Sequence, residues 1–130
     1  MSIDRPEDFS DHPADVYHEA WRLLESRAPL EAIAILDPAI EEQPQSTSLR
    51  TLRAWAYFQS AQLSKAEAEL RVLVDEGPSD IWPRFALGRV LERQSRFEDA
   101  LPHVRLAAVM SGDPEHEAAV LRVERLAGKL

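Results

Sequence analysis

The stretch IWPRFALGRVLERQSRFEDALPHVRLAAVMSG, Ile81 to Gly112, decides the fold. Its apolar residues recur at helical spacing in two segments, Phe85 to Leu91 and Ala100 to Val109. The polar run Arg93 to Arg96 separates them, and Ser95 stands three residues before Glu98. That is the spacing at which two side chains cap each other's backbone amides at a helix start. The pattern predicts two helices joined by a short turn.

The same hairpin recurs upstream at a step of 34 residues. Gly88 falls on Ala54 and then Ala20; Leu91 falls on Tyr57 and Leu23; Ala100 on Ala66 and Ala32. Val104 falls on Leu70 and Leu36, and Ala107 on Leu73 and Ala39. Pro44, Pro78 and Gly112 share the turn place. Small residues at Ala20, Ala54 and Gly88, and again at Ala32, Ala66 and Ala100, let the two helices of each pair approach closely. One hairpin cannot bury its apolar stripe alone, whereas roughly three stacked hairpins can.

This period, with a small residue at the eighth place, an aromatic or Leu at the eleventh, Ala at the twentieth and Pro at the thirty-second, resembles the tetratricopeptide repeat. The fourth place, usually Trp in that family, holds Val16, Arg50 and Arg84. The seventh holds Glu19 and Arg53 in the first two copies, and Pro29 stands where an aromatic is usual. The resemblance implies an all-α, right-handed superhelical solenoid of three repeats, 13–46, 47–80 and 81–114, closed by a capping helix within 115–130. Residues 13–130 would form one domain, preceded by an acidic arm over 1–12.

Composition sets bounds. An apolar share of 45% suits a globular chain. The net charge of −8 argues against nucleic acid and anionic membranes as partners. All of that imbalance lies in residues 1–46, which hold 11 acidic and 3 basic side chains. No apolar run approaches the ~20 residues of a membrane span. MSIDRPEDFSDHP lacks the basic and apolar regions of a secretion signal. With no cysteine there is no disulfide, thiolate metal site or thiol nucleophile, and a cytoplasmic protein is expected.

Local signals divide the chain into seven helices. Pro13 opens the first, which runs to about Ser26; the second runs from about Pro29 to Glu42, with Pro38 inside it expected to kink it. Ser46 or Thr47 caps the third, expected to reach Ala61. Ser64 and Glu67 suggest a second reciprocal cap for the fourth, which Gly77-Pro78 stops. Ser79 or Asp80 precedes the fifth, the sixth spans about Glu98 to Met110, and Asp113-Pro114 opens the seventh. There Val120, Val123 and Ala127 form a narrow apolar stripe, with Glu117, Arg122, Glu124 and Arg125 expected in water.

Catalysis has little to work with. His12, His18, His103 and His116 share no ligand spacing, and neither HExxH, a Gly-rich phosphate loop nor GxSxG occurs. No catalytic residue, metal or cofactor is expected.

The aromatic residues are more informative. Beside the core face of each first helix runs a second stripe: Tyr17, Trp21, Leu24; then Thr51, Trp55, Phe58; then Trp82, Phe85, Arg89. In the resembled family these places line the concave groove. The rings either pack between helices as core or form an apolar wall for a protein or peptide segment, as in an adaptor or chaperone-like module. Family members that hold a chaperone's terminal carboxylate use Asn and Lys at the fifth and ninth places. Tyr17, Trp21, Thr51, Trp55, Phe85 and Arg89 occupy them here, so the expected ligand carries hydrophobic anchors, with an acidic group near Arg89 unless Arg89 bridges Glu92 or a neighbouring carboxylate instead. Small three-repeat chaperones of bacterial secretion resemble this layout in size. The alternative is self-association, with the aromatic groove as a homodimer interface or filled by the arm through Ile3 and Phe9.

Overall fold

The computed structural model describes residues 13–129. Among them are seven α-helices and no strand. These are α1 (Pro13–Glu25), α2 (Pro29–Glu42), α3 (Thr47–Gln59), α4 (Leu63–Glu76), α5 (Ile81–Arg93), α6 (Phe97–Ser111) and α7 (Pro114–Leu126). The arm expected over residues 1–12, with Ile3 and Phe9, lies outside the described residues.

Helix starts follow the sequence at three places. Pro29 and Pro114 stand in first turns, where a missing amide costs nothing. The Ser46 hydroxyl accepts from the Leu49 amide at 3.4 Å, and Asp113 accepts from the Glu115 amide at 2.8 Å. Neither reciprocal cap forms. Ser64 lies inside α4, and Ser95 has φ of 60°, whereas a capping residue needs extended backbone. α2 runs unbroken through Pro38. Ala34, whose carbonyl loses its helical donor there, is exposed and can bond water instead.

The turns inside the hairpins share one conformation. Arg27, Ala61 and Ser95, spaced 34 apart, are the non-glycine residues with positive φ, at 61°, 60° and 60°. Around each, the following amide bonds back to the fifth residue upstream: Ala28 to Leu23 and Gln62 to Tyr57 at 2.8 Å, and Arg96 to Leu91 at 2.9 Å. This is the Schellman arrangement, which satisfies a helix's last carbonyls and reverses the chain. α3 therefore ends at Gln59, and Ala61 is an exposed turn residue rather than a core one.

The helices gather into two compact units, one ending at Gln62 and the other beginning at Leu63. In the first, α2 lies against α1 and α3, and α1 also touches α3. Its core is Ala20, Leu24, Ala32, Leu36, Ile40, Leu49, Leu52 and Ala56. In the second, α5 lies against α4 and α6, and α7 covers α6. Leu87, Val90, Leu91, Val104, Ala107 and Val123 are buried there.

α5 and α6 approach each other closely at Gly88. A β-carbon on that residue would stand 2.5 Å from Val104 Cγ1 and 3.5 Å from His103 Cβ. One period later α7 carries Arg122 at the equivalent place. Its guanidinium turns back to α5 and grips Glu92, with Nε at 2.6 Å and Nη2 at 2.9 Å from the carboxylate. No further hairpin can close on α7 as α6 closes on α5. The expected polar outer face of α7 differs in one respect: Leu121 and Leu126 are 54% and 49% exposed. Arg122 and Glu124, both expected in water, are partly buried instead.

Three outcomes follow. Ala61→Gly relieves a left-handed alanine and should raise unfolding stability by about 1 kcal/mol in urea titration. Gly88→Ala should lower it by about 1 kcal/mol, because overpacking of roughly 1–3 kcal/mol exceeds the roughly 1 kcal/mol gained in helix propensity. Val104 is fully buried and branched, so its methyl cannot swing clear; in a Val104→Ala background the same change should cease to destabilise. His103, beside Gly88, has its pKa pushed below the ordinary 6.5 by burial and by the charges of Arg71 and Arg84. Its folded-state value is depressed, so protonation favours the unfolded chain: stability should fall as pH drops below about 6.5, and His103→Gln should flatten that slope.

Candidate functional site

In the first unit the predicted rings do meet. Tyr17 and Trp21 are one helical turn apart on α1, with ring centroids 6.2 Å apart and planes 21° from parallel. Trp21 meets Trp55 of α3 edge-on at 5.1 Å. Tyr17 and Trp55 are partly buried against the unit's core, while Trp21, the middle ring of the three, stands 41% exposed. Each ring thus supports the next through T-shaped or offset contacts.

The Gln59 amide fixes the helices that carry them. Its Nε2 donates to the Leu24 carbonyl at 2.9 Å, tying the end of α3 to the end of α1. Phe58 is partly buried on the same α3 turn. Leu24 corrects the expected stripe: it is fully buried and belongs to the core. It lies four residues after Ala20, directly above it on the helix, so it follows Ala20 inward rather than Tyr17 and Trp21 outward.

In the second unit α5 carries Trp82, Phe85 and Arg89. Trp82 is 41% exposed. Phe85 is covered on one face by the His116 ring of α7, centroids 4.0 Å apart and 22° from parallel. His116 Nδ1 is held by the Ser111 hydroxyl at 2.7 Å. Of the two readings of Arg89, a cation open to a ligand or a bridge to Glu92, the bridge is present. Arg89 Nε lies 3.3 Å from Glu92, the carboxylate that also takes both bonds from Arg122. Two guanidiniums share one anion there, and Arg89 offers only part of its charge to anything outside.

A second carboxylate organises the turn between α5 and α6. Glu67 of α4 accepts from Gln94 at 3.1 Å, Arg96 at 2.9 Å and Arg71 at 2.9 Å. Burial pushes its pKa up, but the bonds from Gln94 and Arg71 and the charge of Arg96 outweigh burial and hold it below the ordinary 4.5. Sequence reading had given Glu67 to a helix cap. His116 was also missed, although one more step of 34 residues from Trp82 lands on it. The Glu92–Arg122 bond left no such trace, since its partners are 30 residues apart. Among the described residues there is no group of His, Asp and Glu suited to a metal, and no helix is long and apolar enough to cross a membrane.

Comparison with known proteins agrees with this architecture. The tetratricopeptide repeat family model matches residues 23–87, half of the chain. No curated protein sequence matches it. Among solved structures, the first tetratricopeptide (TPR) domain of human RPAP3 is 16% identical, with a TM-score of 0.83 over 92% of this chain and 94% of that one. The first TPR domain of Spaghetti (RPAP3), bound to the HSP90 peptide SRMEEVD, is 17% identical, with a TM-score of 0.82 over 92% and 98%. MamA from AMB-1 is 18% identical, with a TM-score of 0.78 over 88% and 68%. At these identities the likeness is one of fold, the all-α helical-repeat solenoid. With its 34-residue period, its recurring turn and the match over half its length, the chain belongs to the tetratricopeptide repeat family.

Proposed function

We propose that this chain is a protein-interaction module, adaptor or chaperone-like in role, that takes an extended or helical segment of a partner against Tyr17, Trp21 and Trp55. The observation that carries this reading is the row itself. Three large rings touch in series, and the central one, Trp21, keeps 41% of its surface in water. Aromatic side chains that are rigidly backed by a core lose little freedom on binding, which is why they dominate interface energetics. Trp82, also 41% exposed on α5, with Phe85 beside it on the same helix, offers a further anchor point.

The neighbouring Spaghetti domain holds an acidic peptide ending in a carboxylate. The chemistry here differs. The fifth and ninth places carry Tyr17, Trp21, Thr51, Trp55 and Phe85, and the one cation among them, Arg89, is paired with Glu92. The segment recognised is therefore read by apolar side chains, not by its terminal charge.

Peptides selected on the native protein from a displayed random library provide the test, with dissociation constants measured by calorimetry. Trp21→Ala should weaken the selected peptides at least tenfold, about 1.4 kcal/mol. Trp21 is 41% exposed, so its loss should leave the thermal midpoint within a few degrees. Arg89→Ala should change affinity little, and SRMEEVD should not compete. Unchanged affinity in Trp21→Ala, or competition by SRMEEVD, would refute the reading.

A further inference from the structure

The α6–α7 pair carries an apolar surface that the aromatic rows do not involve. Val109 of α6 is 81% exposed and Leu121 of α7 54%. Ala108, Val109, Val120 and Leu121 line a cleft of about 520 Å3, rimmed by Arg105, Glu117 and Glu124. Arg105 bonds Glu124 at 2.9 Å yet keeps about half of its side chain in water. Glu117, one turn before Leu121 on α7, is exposed.

From this arrangement we propose that the α6–α7 face is a homodimer interface, in which the cleft of one copy receives Val109 and Leu121 of another. Two observations select a second copy as the occupant. The first is that the face is self-complementary. The α6 side of the cleft is basic through Arg105 and the α7 side acidic through Glu117 and Glu124, of which Glu124 is bonded to Arg105 of its own copy, so a two-fold axis sets Arg105 of each copy against Glu117 of the other. The second is charge distribution. Residues 1–62 hold 11 acidic and 5 basic side chains and would repel their own copy, whereas residues 63–130 hold 12 and 10 and come close to neutrality.

Sedimentation velocity on the full chain at tens of micromolar tests this. The wild type should sediment as a dimer. Val109→Glu and Leu121→Glu, both at exposed positions, should sediment as monomers with unchanged circular dichroism. Arg105→Glu and Glu117→Arg should each be monomeric alone, because like charges then face each other. Mixing these two variants should restore a dimer, since both cross-pairs become opposite in charge. A monomeric wild type, a dimer that survives Val109→Glu and Leu121→Glu, or a mixture that stays monomeric would overturn the proposal. Trp21→Ala should leave the dimer intact, so this result and that of the peptide test are independent.

Discussion

Two helices can cross closely only where neither carries a bulky side chain, and that steric limit orders this chain. Ala20, Ala54 and Gly88 on the first helices, with Ala32, Ala66 and Ala100 on the second, are all buried. At Gly88 the limit is sharpest: a single methyl would stand 2.5 Å from a valine methyl. Packing at interior density leaves no room to absorb such an overlap without moving a helix. The crossing place of α7 is different in kind. Arg122 at the crossing place of α7 cannot be covered in that way, and its charge is satisfied by reaching back to Glu92.

Close crossing needs a sharp reversal between the two helices, and the chain uses one reversal throughout. A left-handed residue follows the last turn of α1, α3 and α5, at Arg27, Ala61 and Ser95. Each accepts a conformation that glycine would adopt more easily, because two backbone bonds per turn are gained in return. With crossing and turn both fixed, the register of each first helix is fixed as well. That register is what brings Tyr17, Trp21 and Trp55 into one row. Ring position is thus a consequence of helix register, set by residues that touch no ring. The polar ties follow the same logic. Glu67 fastens α4 to the turn after α5, and Glu92 fastens α5 to α7, so charges that could have faced a ligand are used to hold helices together.

The fold was legible because it is periodic. Apolar places repeating every 34 residues show through substitutions such as Gly88 for Ala54, since only size and polarity matter at a crossing. The turn was not legible for the opposite reason: Arg27, Ala61 and Ser95 share a backbone angle and no chemistry. Ser95 and Ser64 looked like caps because the cap signature is local, while the turn that displaces it is set by the packing of the hairpin. For the rings, the choice of helix face was readable and its edge was not. Leu24 and Trp21 lie within one turn of each other, yet one is fully buried and the other 41% exposed. The Arg89–Glu92 bridge lies within α5 and was readable from its spacing, whereas Glu92–Arg122 joins separate helices and requires the assembled structure.

The central claim is that helix register, fixed by close crossings, presents α1 and α3 rings to another chain. Indole Nε1–H resonances of the three tryptophans report on it directly in a heteronuclear NMR titration with a selected peptide. The account predicts that the Trp21 and Trp55 signals shift together and saturate with the binding isotherm. Saturable binding with both signals unmoved, and shifts confined to other helices, would contradict it.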